Sequence, residues 1–291
     1  MATAKQKQKI GRKVEIPMIK TGRSKSSKSI LVVSDMHVGA KSALCSDDPV
    51  TDGGYKPSVN QKKLFQEWNR TLDEVTQSPT AFVINGEPID GSNPKSQGDG
   101  LWSNDFNEQM NDSAKLIKRI KRDHTILTRG SGYHVTREAT SFEKIYADKI
   151  GATKYTSVQG RKTSTDYEAT IEMFGKHINF THHIGYSGWW MYRPTPMARE
   201  LVKMHFSHKA NGFHSDVVVR SHVHYYCLVE FPNTIGFTSP AWKFPDGFMY
   251  RGGIPELPTI GNVEIIIEPN GEIVIKKHLS EMKFPKPVIH L

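Results

Sequence analysis

An α/β fold is predicted by three features of this chain. Short runs rich in Val and Ile recur at residues 29–34, 80–85, 125–128 and 216–220. Stretches with helical spacing of apolar residues separate them, and each run stops in a polar cluster. The first run, Ser29-Ile-Leu-Val-Val-Ser34, reads as a buried strand ending in Asp35-Met-His37. A loop of about twenty residues follows, through Tyr55, and loops of that length are usually functional or disordered. Ser58 then has the character of an N-cap for a helix carrying Leu64, Trp68, Leu72 and Val75. A second strand at 80–85 ends in Gly86-Glu-Pro-Ile-Asp90, and after a Gly/Ser/Asn-rich loop a helix is expected near 104–122. Basic residues crowd the C-terminal end of that helix, where they complement its dipole.

The third strand, 125–128, runs into Arg129-Gly-Ser-Gly-Tyr-His134. A helix near 139–149 is expected next, then strands at about 166–173 and 176–181, the latter ending in Thr181-His-His183. A helix near 195–209 precedes the strand 216–220, which ends in Ser221-His-Val-His224. The rest reads as strands and Gly/Pro turns, with a hairpin of 262–268 and 272–277 around Asn270-Gly271. No internal repeat or linker interrupts this pattern, so one domain, 29–291, preceded by a tail, 1–28, is expected.

The chain has 291 residues, 37% hydrophobic and 24% charged, enough for a large core. No apolar run approaches the roughly 18–20 residues of a membrane span. The start is polar and basic, so no secretory signal is expected, and two cysteines, Cys45 and Cys227, suit a reducing compartment. A soluble protein of the cytoplasm is the expectation. The net charge is +9, but residues 1–28 hold nine basic residues against the single acid Glu15. The tail therefore carries +8 and the remainder only +1. Such an arm should be flexible. It either holds a phosphate backbone, with strong salt dependence, or simply aids solubility.

Five strand ends present groups able to meet metal or phosphate: Asp35/His37, Glu87/Asp90, His134, His182/His183 and His222/His224. In open α/β sheets the crevice beyond the carboxyl ends of the strands is where ligands bind. In extended chain, residues two apart point the same way, so Asp-x-His and His-x-His should each aim at one place. Mixed imidazole and carboxylate donors suit Mn, Fe, Zn or Ni better than Mg or Ca. The bland alternatives are a buried, hydrogen-bonded histidine beside an exposed one at His182-His183, and a surface cation at Arg129.

In these motifs the chain resembles the calcineurin-like metallophosphoesterases, whose pattern is D-x-H, G-D-x-x-D, G-N-H-D/E, a lone His, and G-H-x-H. The matching places are Ser34-Asp-Met-His37, Gly86-Glu-Pro-Ile-Asp90, Gly130-Ser-Gly-Tyr-His134, His182-His183 and Ser221-His-Val-His224. The likeness spans roughly 29–240. The insertion after His37 and the Ser-Pro-Ala-Trp stretch ending at Trp242 look like members seen in bacteriophages, which would place the protein in the host cytoplasm. The resemblance implies an α/β/β/α sandwich of two mixed sheets flanked by helices. It also implies phosphoester hydrolysis by a hydroxide shared between two divalent ions, Mn²⁺ first and Zn²⁺, Fe or Ni²⁺ as alternatives. Asp35, His37 and His224 would hold one ion, and His182 and His222 the other. Glu87 stands where the family has a bridging Asp, one methylene longer, and Asp90 would orient a ligand. His183 rivals His182. Ser131 stands nearest the family's Asn and is a poorer ligand, while His134 comes two residues late. His134 would still protonate the leaving group, and Arg129 would neutralise phosphate charge.

The expected substrate is a phosphodiester of nucleic acid or a nucleotide, held in part by the tail 1–28. Trp189-Trp190-Met-Tyr192 would stack on bases or else pack as a cluster. The alternatives are a phosphomonoesterase or small-nucleotide phosphodiesterase, and a catalytically impaired nucleic-acid-binding protein, motivated by Glu87 and the missing Asn.

Overall fold

The computed structural model describes residues 27–75, 78–94, 97–137, 140–157, 159–212, 214–251, 258–283 and 289. The basic tail expected at 1–28 therefore lies, but for its last two residues, outside the described residues. In chain order the elements begin with β1 (Lys28–Val33), α1 (Val59–Asp73), β2 (Ala81–Asn85), α2 (Phe106–Ile117) and β3 (His124–Thr128). A short helix α3 (Gly132–Val135) and a small hairpin, β4 (Thr136–Arg137) and β5 (Thr140–Ser141), precede α4 (Phe142–Lys149). Then come β6 (Tyr155–Thr156), β7 (Lys162–Thr163), β8 (Thr165–Asp166), β9 (Glu168–Met173) and β10 (Lys176–Thr181). The chain closes with α5 (Pro194–Asn211), β11 (Val217–Arg220), β12 (Cys227–Phe231), β13 (Thr234–Thr238), α6 (Gly247–Arg251), β14 (Gly261–Ile267) and β15 (Ile273–Leu279).

Two mixed sheets form, in the orders β15-β14-β1-β2-β3-β8 and β12-β13-β11-β10-β9. The parallel pairs are β1–β2, β2–β3 and β3–β8 in the first, β10–β11 and β11–β13 in the second. Strand alternation sorts the side chains into layers. Ile30 and Val32 of β1 and Val83 of β2 meet Ile178, Phe180, Val217 and Val219 between the sheets. Leu31, Val33, Phe82 and Ile84 point the other way, onto Leu64 and Trp68 of α1, Met110 of α2 and Tyr146 of α4. On the far side, Val218 packs on Met197 and Leu201 of α5. The result is the α/β/β/α sandwich that the resemblance implied. Strands buried on both faces need continuous apolar runs, which is why β1, β2 and β11 are so plain in the sequence.

Helix α1 starts as expected at Ser58, whose hydroxyl accepts from Gln61 N while Gln61 Oε1 accepts from Ser58 N. Arg122, beyond the end of α2, donates to the carbonyls of Ile117 and Ile120, both at 2.8 Å. The helix expected at 139–149 begins at Phe142 instead, because residues 140–141 pair with β4. The long loop after His37 is neither open nor uniform. Val38, Ala40, Ala43, Leu44 and Cys45 are buried, and Leu44 N donates to Trp242 O at 2.9 Å. No helix among the described residues is long and apolar enough to cross a membrane.

Candidate metal centre

The loops after β1, β2, β3, β10 and β11 converge at one edge of the sandwich, and Asn85 fastens them. Its amide nitrogen donates to Thr181 O at 3.2 Å and Ser221 Oγ at 2.7 Å, reaching from one sheet to the other. Its side-chain oxygen accepts from Thr128 Oγ1 at 2.7 Å, and its backbone oxygen lies 2.7 Å from Ser34 Oγ. Beyond the strands, β1 and β2 continue to pair loop to loop: Asp35 N donates to Gly86 O and His37 N to Glu87 O. Asn85 was not singled out from the sequence; its only signal was a polar residue closing the apolar run Ala-Phe-Val-Ile.

Asp35, His37, Glu87 and His224 bring ligand atoms within 4.8 Å of one another, and Glu87, His182 and His222 do the same. Glu87 belongs to both groups. His37 Nε2 is 2.9 Å from Glu87 Oε2 and 3.2 Å from His224 Nε2. His224 Nε2 is 3.3 Å from Asp35 Oδ1. His182 Nε2 is 3.3 Å from Glu87 Oε1 and 3.9 Å from Asp35 Oδ1.

These side chains do not converge by the alternation expected of extended chain. Asp35, His37, Glu87, His222 and His224 all have positive φ, between 47° and 74°. The chain turns left-handed at each of these five residues, though not at His182, so the i, i+2 projection expected of Asp-x-His and His-x-His in extended chain does not hold. Non-glycine residues held there cost about 1–3 kcal/mol each and cluster at functional sites. Glycines make room around them. A Cβ on Gly130 would come within 2.5 Å of Glu87 Cγ, and one on Gly86 within 2.3 Å of His182 Nδ1. The extra methylene of Glu87 thus occupies space that a side chain at 130 would fill.

Hydrogen bonds fix which nitrogen each ring presents. His37 Nδ1 lies 2.8 Å from Asp90 Oδ1, and His182 Nδ1 lies 2.7 Å from Asn85 O. Both partners only accept, so both Nδ1 atoms donate and both Nε2 atoms face the centre. His134 reaches the site from α3: its Nδ1 donates to Asp90 O at 2.8 Å and its ring stands edge-on to His37 at 4.8 Å. Gly91 permits this approach, since a Cβ there would lie 1.5 Å from His134 O. Ser131 donates to Glu87 Oε1 from both its backbone N, at 3.2 Å, and its hydroxyl. His183 is exposed, with its ring against His222 at 4.3 Å, and is not one of the clustered residues. Arg129 lies with its guanidinium carbon 5.3 Å over Tyr167.

Lys243, which the sequence did not single out, is buried with its Nζ 3.2 Å from Asp90 Oδ1 and 2.9 Å from Asp246 Oδ2. A lone cation between Trp242 and Phe244 was the available signal. Burial opposes its charge, but Asp90 and Asp246 outweigh that and push its pKa up.

The same contest runs through the centre. Burial alone would raise Asp35, yet His182 and His224 hold it down at about 2. Glu87 is likewise held well below its usual range, against burial, by His134, His182 and His37. Burial favours neutral rings, but Glu87 keeps His37 up at about 9, opposed by Lys243, and with Asp35 keeps His182 up at about 10. At His222 burial prevails and the pKa falls to about 4; it also lowers His134.

The near neighbours of Asp35 Oδ1 and His182 Nε2 are His224 Nε2 and Glu87 Oε1, each at 3.3 Å. Asp35 Oδ1 and His182 Nε2 are two of the buried side-chain atoms that lack a well-formed hydrogen bond among the described residues, where most such atoms are paired. Both face the space shared with Glu87, and two carboxylates among four imidazoles form a donor set suited to Mn, Fe, Zn or Ni. The residues fit a metal ion.

No family model matches this chain, and no curated protein matches it. Among solved structures, an archaeal phosphodiesterase is similar over 86% of this chain and 99% of its own, at 13% identity and a TM-score of 0.40. Vps29 of Entamoeba histolytica, solved with Zn²⁺, covers 86% of this chain and 97% of its own, at 10% identity and a TM-score of 0.40. An uncharacterized protein of Streptococcus pneumoniae, described as a predicted phosphoesterase, covers 88% and 100%, at 10% identity and 0.37. Likenesses at this level carry no argument about what this chain does.

Proposed function

We propose that this chain is a metal-dependent phosphoesterase acting on a phosphodiester of nucleic acid or a nucleotide. The observation that carries the reading is the convergence of Asp35, His37, His182, His222 and His224 on the carboxylate of Glu87. Asp35, His37 and His224 would hold one divalent ion, His182 and His222 the other, with Glu87 between them. Mn²⁺ is the first candidate, with Zn²⁺, Fe and Ni²⁺ compatible with the same donors. When bound, a pair of such ions activates water and offsets the charge of a phosphoryl group in transfer.

The chain's own residues supply the rest. Asp90 and Asn85 hold the rings of His37 and His182 so that both Nε2 atoms face inward. Ser131 donates to Glu87 and steadies its longer side chain. His134, anchored through Nδ1 to Asp90 O, would pass a proton to the departing oxygen. Burial lowers its pKa, so its acid form at neutral pH depends on the negative charge of a bound phosphoryl group. The basic segment 1–28 would hold a nucleic-acid backbone in a salt-dependent manner.

Metal-stripped protein titrated with Mn²⁺ is expected to hydrolyse a chromogenic phosphodiester, and both His134→Ala and His222→Ala are expected to abolish most of that turnover. Turnover of the monoester alone would make the protein a phosphomonoesterase. No turnover of either ester at any Mn²⁺ concentration would overturn the reading in favour of a nucleic-acid-binding protein.

A further inference from the structure

The segment between His183 and α5 is chemically unlike the surface around it. Trp189, Trp190, Met191 and Tyr192 stand 70%, 66%, 72% and 54% exposed. They are therefore not a packed core cluster, and contiguous exposed apolar side chains are a feature of interaction sites. No Asp or Glu occurs from residue 182 to 199, whereas Arg193 and Arg199 do. The run is built, too. Residues Trp190–Tyr192 form a 3₁₀ turn, Tyr192 N donates to Trp189 O at 2.9 Å, and α5 begins at Pro194.

Arg193 ties this shelf to the residue that follows His224. Its guanidinium carbon lies 4.8 Å over the Trp190 ring and 4.7 Å over the Tyr225 ring. The Tyr225 hydroxyl donates to Arg193 O at 3.3 Å. Tyr225 is buried and directly follows His224. The exposed indole is therefore no farther from the Tyr225 ring than these two contacts laid end to end.

We infer that Trp190, with Trp189 and Tyr192, is a stacking platform for bases of a single-stranded nucleic acid whose backbone passes the metal centre. The inference rests on the phosphodiesterase reading. Planar apolar faces and negative charge are both needed to match this surface, and a nucleic-acid strand carries both. Base–aromatic stacking is tolerant of sequence because every base offers a π-face. An apolar protein partner would use the rings but would not need the flanking guanidinium groups of Arg193 and Arg199.

The test is the dissociation constant of a dye-labelled single-stranded oligodeoxynucleotide for the full-length, metal-stripped protein, by fluorescence anisotropy at fixed salt. A matched abasic strand controls for binding through phosphates alone. Trp190→Ala is expected to weaken binding of the intact strand about 5- to 150-fold. Trp190→Phe is expected to recover most of it, and the wild type should bind the abasic strand at least as weakly as the alanine variant binds the intact one, since Trp189 and Tyr192 then lose their bases too. Circular dichroism confirms that each variant is folded. Equal affinity of wild type and alanine variant, or of intact and abasic strands, would overturn the inference. So would a wild-type dimer that Trp190→Ala converts to monomer, which would make the shelf an interface between copies. Because the assay involves no turnover, loss of the stacking platform and loss of the phosphoesterase reading give separate results.

Discussion

Asp90 shows how much of a ligand's behaviour lies in its neighbour. One oxygen, Oδ1, takes the His37 Nδ1 proton at 2.8 Å and the Lys243 ammonium at 3.2 Å. Replacing it by Asn keeps the volume but removes the negative charge that fixes the His37 tautomer and that partners Lys243. Partners of this kind typically change metal affinity about 10–100-fold. Asp90→Asn is therefore expected to weaken Mn²⁺ binding by about that factor, measured by titration calorimetry, and unchanged affinity would remove Asp90 from this role. At this scale the sequence was informative about chemistry and silent about conformation. Asp35, His37, His222 and His224 were visible because each pair closes an apolar strand run, but nothing in that placement reveals a positive φ. Lys243 was hidden for a different reason. Its partners are Asp246, three residues on, and Asp90, far back in the chain, and only the fold brings the latter to it.

Among the elements, legibility followed burial. Strands β1, β2 and β11 are buried on both faces, and an apolar run needs no periodicity to stand out. The two-residue strands β4 to β8 carry no pattern of their own, and β5 took the first turn of the helix expected from 139. Helix α1 was legible at its start because a capping box is purely local, Ser58 and Gln61 serving each other. That locality makes a clean test of the division between scaffold and site. Ser58→Ala is expected to cost about 0.5–2 kcal/mol in denaturant-induced unfolding of the metal-stripped protein. Mn²⁺ affinity should be unchanged, since α1 supplies none of the clustered residues. A loss of affinity with no loss of stability would show that α1 holds the centre as well as the core.

The whole molecule is a sandwich that holds several opposed charges at one dry edge, so its stability and its metal affinity should answer to pH together. In the metal-free protein His37 and His182 titrate at about 9 and about 10, against 6.5 for a free histidine. Above 6.5 the unfolded chain has given up protons that the folded chain retains, so stability present below that pH is lost as pH rises through 9 to 10. His222 works in the opposite sense. Its folded pKa of about 4 lies below 6.5, so over that interval the unfolded chain holds the extra proton and stability rises with pH. Burial lowers His134 too, and it adds to the same rise. Asp35, held at about 2, and Glu87 contribute stability present above the usual carboxylate range and lost in acid. Glu143, which burial raises to about 7, works against the rise from His222 and His134 above its ordinary 4.5. The melting temperature of the metal-stripped protein is therefore expected to level off up to about 6.5 and to fall beyond it. A metal ion displaces the protons on the two inward Nε2 atoms, since imidazole ligates only when neutral. Binding of Mn²⁺ at pH 7.5 is therefore expected to release ~2 protons per chain, read from calorimetry in buffers of different ionisation enthalpy, and to flatten the decline above 6.5. Release of no protons, or a melting temperature indifferent to pH between 6.5 and 9, would mean that His37 and His182 are neutral in the folded chain and that the charge of Glu87 and Asp35 is balanced elsewhere.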